Sequence, residues 1–583
     1  MGWKSSVAMM PLVLWGGLMR PAQAEAGLVV AYPPANHQTT AAQIFLIGTA
    51  PIAGVVTVNG QAITRNSAGH FAPSFPLKVG DNRFEVRYQN QVITLTITRL
   101  DTRPKVPTSL AFAQDSLQPA VAIARLPGEV VCFEAIAPPT GRVMVQVGDR
   151  QLALQPQVAS VELPPNYAVL TRQNQPTPIA QTGLFQGCTV FDRPMAATVP
   201  RFTLTFNGQT LTQPAPGTVT ILEPNRFRAA IVTAEAGVAR TGPSTDYSRL
   251  TPLPQGTQAL VTGQEGSWLR LDYGAWIRSS EVQVVDVAIP PRSLIRSLKT
   301  RDLPDWTEVH FPLQVPVPVT ITQEDRLFSI TLHNTVAQTD TIYAPPNRLL
   351  DRLDWQQITP TQVRYQLRFK PRQQWGYTLR YEGTTLVLAL RHPPDRQNIT
   401  VLLDPGHGGD ADIGARGPTG YPEKAAALTI SQLLRAELEQ RGLRVVMTRE
   451  ADTDVGLAAR VALIQQTQPT IALSLHYNAL PDDGDALNTS GVAVFWFHPQ
   501  AYSLAVFLHD YLVQRLHRPS DGVFWNNLAL TRPTIAPSLL LELGYMINPD
   551  EYEWIMDPKA QQQLAATLAD GVVAWIDQQL APD

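Results

Sequence analysis

Val401-Leu402-Leu403-Asp404-Pro405-Gly406-His407-Gly408-Gly409 decides how the last third of this chain folds. The apolar triplet predicts a short buried strand that runs straight into a glycine-rich turn carrying an aspartate and a histidine. Downstream, Pro422 and Glu423 open a helix whose face carries Ala427, Ile430, Leu434 and Leu438. Those spacings of three and four are the period of an amphipathic helix. Gly442 ends it, and Val445-Val446-Met447 predicts the next strand. Leu457, Val461 and Ile464 mark a second helix, and Ile471-Ala472-Leu473-Ser474 a third strand. Strand, helix, strand, helix, strand is the α/β signature: a mostly parallel sheet flanked by helices.

In such sheets ligands gather outside the carboxyl ends of the strands, so polar residues at those ends are the ones to question. The first strand delivers Asp404 and His407, the third ends in Ser474-Leu475-His476-Tyr477-Asn478, and a later strand, Leu539-Leu540-Leu541, delivers Glu542. Glu423 lies on the first turn of the first helix, at the same rim. Two imidazoles and two carboxylates therefore converge from four segments. That inventory suits a catalytic zinc site with His407, Glu423 and His476 as ligands and a fourth position open to water. Glu542 is then placed to take a proton from that water and pass it to a leaving nitrogen. By themselves these residues leave a structural role for each histidine open. A phosphate-binding loop is excluded, because no Gly-Lys-Ser/Thr follows the glycines. His498, His509 and His517 fall outside the pattern, on a strand end and a helix, and are expected to be exposed.

The ordered context narrows this. Asp404-Pro405-Gly406-His407-Gly408-Gly409, Ile413-Gly414-Ala415, Glu423-Lys424, Thr448-Arg449, Leu457-Ala458-Ala459-Arg460, Ser474 to Ala479, Gly491-Val492 and Pro537 through Glu542-Leu543-Gly544-Tyr545 to Asn548 follow one another. In that order residues 400–577 resemble the zinc-dependent N-acetylmuramoyl-L-alanine amidases called Amidase 3. The resemblance implies Zn2+ on His407, Glu423 and His476 and Glu542 as the catalytic carboxylate. It also implies cleavage of the amide joining the muramic acid lactyl group to L-alanine of the peptidoglycan stem. Tyr421-Pro422 before Glu423 departs from the family pattern. Two other classes stay in view. One is a zinc peptidase cutting within the stem, distinguished by its products. The other is a wall-binding scaffold with an inert domain, distinguished by metal content.

Upstream the texture is β. Residues 25–105 alternate short strands with turn signals, including Asn59-Gly60, and suggest an immunoglobulin-like sandwich. Residues 106–225 continue as a second β-rich domain. Residues 226–286, with Gly266-Ser267-Trp268-Leu269-Arg270-Leu271 and Ala275-Trp276-Ile277, resemble a bacterial SH3-like barrel. In it, Trp268 and Trp276 either pack the core or stack on sugars. Residues 287–396 are β-patterned, resemble an AMIN-type domain, and end in a linker at Arg391 to Asp395. The catalytic domain is expected over 397–583.

Composition restricts the setting. Of 583 residues, 50 are proline, well above the usual ~5%, which suits short β-domains joined by stiff connectors. A net charge of −3 leaves no basic field for nucleic acid or an anionic membrane surface. Lys4, the apolar run Val7 to Met19 and Ala22-Gln23-Ala24 predict a cleaved signal peptide over 1–24. Export to periplasm or cell wall follows, and no later stretch is apolar enough for stable membrane insertion. Cys132 and Cys188 are the only cysteines. In an oxidising compartment they pair, for ~2–4 kcal/mol; the alternative is two buried thiols.

Length also bears on regulation. Some amidases resembling this domain carry an extra helix that covers the metal until a partner removes it. Here 65 residues separate His476 from Glu542, and they must supply a strand at 491–497, a helix at 500–516 and the strands ending at Glu542. The connections left, 477–490 and 517–527, hold Pro481, Gly484, Pro519 and Gly522. A three-turn helix needs ~11 residues plus connectors. No blocking helix is expected, and so no requirement for an activator, although blocking by an upstream domain stays open.

Overall fold

The computed structural model describes residues 27–101, 105–170, 174–180 and 183–581; the leader expected over 1–24 lies outside them. A large all-β region precedes a C-terminal α/β domain. The C-terminal sheet has six strands in the order Arg444–Met447, Thr400–Pro405, Ile471–Asn478, Ser538–Tyr545, Val492–Trp496, Ser520–Trp525. The first four run parallel; Val492–Trp496 is antiparallel to Ser538–Tyr545 and parallel to the last strand.

The pleat explains how the sheet is covered. Alternate residues point to opposite faces, so Val401 and Leu403 join one core and Leu402 another. The first core takes Ile430, Leu434 and Leu438 of α1 (Glu423–Gln440), Leu504 and Leu508 of α3 (Tyr502–Leu516), Tyr552 and Ile555 of α4 (Pro549–Met556), and Leu564 and Leu568 of α5 (Pro558–Leu580). The second takes Ile464 of α2 (Leu457–Thr467) with Ala472 and Ile535. Burial on both faces is why these strands read as apolar runs.

Two expectations need correction. Residues 517–527 are not simply a connection, because Ser520–Trp525 is a strand. It lies at the sheet edge, where Pro519 just before it and Gly522 at a register shift are tolerated. His509 is not exposed: it is 7% accessible, on the buried stripe of α3 beside Leu508 and Leu512, with Nε2 2.9 Å from Ser520 Oγ. His498 is partly buried, its Nε2 2.8 Å from the Arg532 carbonyl, and His517 is exposed.

In the β region, Cys132 and Cys188 face each other on paired antiparallel strands and form a disulfide. Backbone pairing also crosses the boundary expected at residue 225. Ile123 pairs with Glu265, so strands from both sides share one sheet. Arg125–Glu265 (2.6 Å) and Arg270–Glu129 (2.7 Å) fasten the same junction. Trp268 and Trp276 are each 8% accessible, and guanidinium groups of Arg278 and Arg125 lie over their rings. They pack the fold rather than present a face to solvent. Residues 293–391 form two sheets around Phe311, Phe328, Tyr365 and Leu388. Trp375, between them and the α/β domain, meets Trp575 of α5 with ring centroids 5.4 Å apart. Arg391, expected in a linker, donates to the Gln468 carbonyl at 2.8 Å. Among the described residues, no helix is long and apolar enough to cross a membrane.

Candidate metal centre

His407, Glu423 and His476 meet at the carboxyl rim of the sheet, their donor atoms all within 4.8 Å of one another. His407 comes from the turn after the first strand, His476 from near the end of its neighbour, and Glu423 is the first residue of α1. A carboxylate there is favoured by the helix N-terminus. Glu423 Oε1 lies 2.9 Å from His476 Nδ1 and 3.1 Å from His407 Nε2, and accepts from the Tyr477 amide at 3.1 Å. Its Oε2 accepts from the Ala415 amide at 2.8 Å. Glycines allow this closeness. A Cβ on Gly406 would stand 2.3 Å from the His476 ring, and one on Gly414 would stand 2.4 Å from Glu423 Oε2.

Electrostatics separates the four groups. Burial works against the charged form of Glu423, but hydrogen bonds and charge from His407 and His476 outweigh it and hold the carboxyl well below its ordinary range. Burial likewise opposes protonation of His407, yet Glu423 and Asp412 push its pKa up to about 9. Glu542 goes the other way: burial, then the charges of Glu423 and Asp521, raise its pKa well above the ordinary carboxyl value. The strand register sets Glu542 opposite His476, and its Oε2 is buried with no hydrogen-bond partner. Two imidazole nitrogens and one carboxylate oxygen, with an unpaired carboxyl oxygen nearby, are a donor set that fits zinc with one position left for water.

Residues 401–574 match the family model described as N-acetylmuramoyl-L-alanine amidase. This segment is an Amidase 3 domain. Curated relatives from Staphylococcus aureus, named probable cell wall amidase LytH, are 35% identical over 178 residues, 30% of this chain and 58% of theirs. The chain thus spans just over half the length of the curated relatives it matches. Among solved structures, the amidase AmiC2 of Nostoc punctiforme is 30% identical, with 31% of this chain and 97% of that one covered, at a TM-score of 0.29. An N-acetylmuramoyl-L-alanine amidase from Clostridium difficile 630 is 28% identical over 31% and 98% of the two chains, at a TM-score of 0.30.

The amidase domain holds its glycine-rich turn by a buried network that sequence reasoning missed. Asp404, 1% accessible, accepts from Arg460 at 2.7 Å and from Ser474 at 2.6 Å. Arg460 also donates to the His407 carbonyl (2.7 Å), and Arg449 to the carbonyls of Gly406 (2.8 Å) and Lys424 (2.7 Å). These arginines clamp the backbone carrying the amidase domain's metal-ligand candidates. Asp412 was missed as well. Its Oδ1 lies 2.5 Å from His407 Nδ1, which turns Nε2 toward Glu423. An acidic residue shortly after the histidine turn is the signal the sequence offers for it, but Asp410 offers the same signal. In the amidase domain, the helix between His476 and Glu542 is α3, packed on α5 and on Val492–Trp496.

Proposed function

We propose that the C-terminal domain hydrolyses the amide between the N-acetylmuramic acid lactyl group and L-alanine of the peptidoglycan stem, outside the cell in periplasm or wall. The reading rests on Glu542, whose Oε2 is buried without a partner beside a His-Glu-His cluster. His407, Glu423 and His476 would hold zinc, which when bound polarises a carbonyl and makes water nucleophilic near neutral pH. Asp412 holds the His407 Nδ1 proton, which fixes the tautomer and leaves Nε2 as a ligand. Glu542 Oε2 accepts the proton of the attacking water and returns it to the leaving nitrogen. Burial and the charges of Glu423 and Asp521 raise its pKa, which strengthens its hold on a proton taken from water. Arg449 and Arg460 keep the turn from shifting as substrate enters.

Mass spectrometry of peptidoglycan digested by the zinc-loaded chain is the test. Released peptides should begin with a free L-alanine amino group. Cuts confined to bonds within the stem would replace the amidase by a peptidase, and zinc-loaded protein that cuts nothing would make the domain a scaffold.

A further inference from the structure

A cavity of about 620 Å³ lies where the second β-rich segment, the SH3-like segment and the amidase domain meet. It is distinct from the metal cluster. Trp525, on its wall, pairs with Trp496, whereas Glu542 pairs with Ala493. Three residues along a strand is about 10 Å, so the cavity sits toward the opposite end of the sheet.

Three guanidinium groups line it: Arg240, Arg249 and Arg532. Arg240 is 8% accessible and donates through Nη1 to the carbonyls of Thr245 (2.8 Å) and Tyr247 (2.6 Å), while its Nε is buried with no partner. Among the described residues, no carboxylate forms an ion pair with any of the three. Asp246, the carboxylate on the cavity wall, is exposed and within hydrogen-bond range of Ser244. Burial, and then the charge of a neighbouring arginine, work against protonation of each; Glu281 offsets part of this at Arg240 and Arg249, and Asp246 at Arg240. Arginine keeps its charge regardless, so three cations share one partly dry cavity. A planar carboxylate gripped by two guanidiniums relieves such crowding.

Two further features say what carries that carboxylate. Asn526 and Asn527 line the cavity, and an amide side chain can both donate to and accept from a peptide backbone. Tyr247 and Trp525, 48% and 60% accessible, supply exposed aromatic faces for an apolar or aliphatic body. Carboxylate, N–H and aliphatic stem together describe a peptide rather than a bare oxyanion. We propose that this junction is a second binding site for a carboxylate-bearing peptide. Its natural occupant would be a stem peptide of the wall polymer, an identification that rests on the amidase reading.

The test uses the full chain and the synthetic tripeptide L-alanyl-γ-D-glutamyl-L-lysine, measured by calorimetry against the same peptide with every carboxylate amidated. Arg249→Gln/Arg532→Gln changes two partly buried side chains, and its folding is checked by circular dichroism. The acid peptide should bind the unmodified chain at least tenfold more tightly than the amidated one. The double variant should lose at least tenfold in affinity yet hydrolyse a small muramyl peptide at the normal rate. Affinity unchanged in the double variant, or equal for both peptides, overturns the site. Inorganic phosphate displacing the peptide at equal concentration overturns the peptide assignment. An unmodified chain that binds the peptide but never cuts the muramyl substrate sinks the amidase reading and leaves the site standing.

Discussion

His37 lies 2.9 Å from Asp482, Nε2 to Oδ2, joining the N-terminal β-domain to the segment that follows His476 and its strand. Tyr32 donates to the other oxygen of the same carboxylate. A second grip lies nearby, with His70 Nε2 2.7 Å from Glu553 and Asn66 donating to the Pro549 carbonyl at 3.0 Å. Between them Phe45, Ile47 and Ala72 share a core with Ala486, Tyr545 and Ile547. Tyr545 is three residues beyond Glu542, so the β-domain braces one wall of the metal cleft. Phe45 is 2% accessible, and Phe→Ala in a core costs about 3–5 kcal/mol. Phe45→Ala should therefore speed hydrogen exchange of the backbone at 479–491 in the full chain. Unchanged protection there would mean that the brace carries no load.

Glu542→Gln keeps the shape of the side chain and removes its ability to take a proton. Zinc content and circular dichroism should match the unmodified chain while hydrolysis falls by ~10²–10⁴-fold, the usual contribution of a positioned general base. His407→Ala and His476→Ala should instead lose the metal together with activity. Near-normal turnover of the glutamine variant would reassign Glu542 to structure.

Asp412 makes a subtler prediction. It touches neither Glu423 nor His476 among the contacts described, but its hydrogen bond sets which nitrogen of His407 is free. Partners of this kind are worth ~10–100-fold in metal affinity. Asp412→Ala should lose that much in competition with a chelator, and Asp412→Asn, which still accepts a hydrogen bond, should recover part of it. Equal affinities for all three chains would place Asp412 outside the metal's support.

His407, Glu423, His476 and Glu542 stand out in the sequence for one reason, their place against the apolar pattern. His407 lies just past a strand and Glu423 opens a helix, while His476 and Glu542 interrupt apolar runs in the second half of their strands, where a polar residue stands out. Asp412 does not, because an irregular turn has no period from which a direction can be read. Arg449 and Arg460 fall within the family's pattern, but much of their work is with carbonyl groups far along the chain, and carbonyls carry no sequence signature. Phe45 reads as an ordinary strand residue and Tyr545 only as part of the family pattern, since apolar burial against one's own domain and against a neighbouring one look alike in sequence. The strand Ser520–Trp525 was hidden by Pro519 and Gly522, which break a central strand but suit an edge.

The accessibility of His407 and His476 carries a prediction about regulation. With the N-terminal β-domain in place, the side chains of His407 and His476 keep 24% and 15% of their accessible surface. A blocking element would remove it. The full chain loaded with zinc should therefore cut purified peptidoglycan with no added protein. Inert zinc-loaded protein that becomes active when a partner is supplied would show that something beyond this cleft controls it.

Stability should fall in weak acid, and two partly buried histidines say where. Burial lowers the pKa of His333 to about 4; its Nε2 is 2.8 Å from Thr320 and its Nδ1 has no partner. Burial, only partly offset by the Arg532 carbonyl, does the same to His498. A histidine in the unfolded chain titrates near 6.5, so between about pH 6.5 and 4 the unfolded state binds more protons than the folded one. Stability therefore drops as pH falls through that window. At roughly 1.4 kcal/mol per pH unit, the upper bound is ~3 kcal/mol for each histidine. Glu308 acts lower down. Burial raises its pKa, but Arg380, Arg301 and His310 more than compensate and bring it to about 2. Its contribution is therefore intact above the ordinary carboxyl range and lost only as pH falls toward 2. His333→Gln keeps a hydrogen-bonding group beside Thr320 without a titrating ring. In thermal melts it should shrink the loss of Tm between pH 6.5 and 4.5 and leave the loss below pH 4.5 unchanged. A variant whose Tm falls as steeply as the parent's across the upper window would remove His333 as a cause.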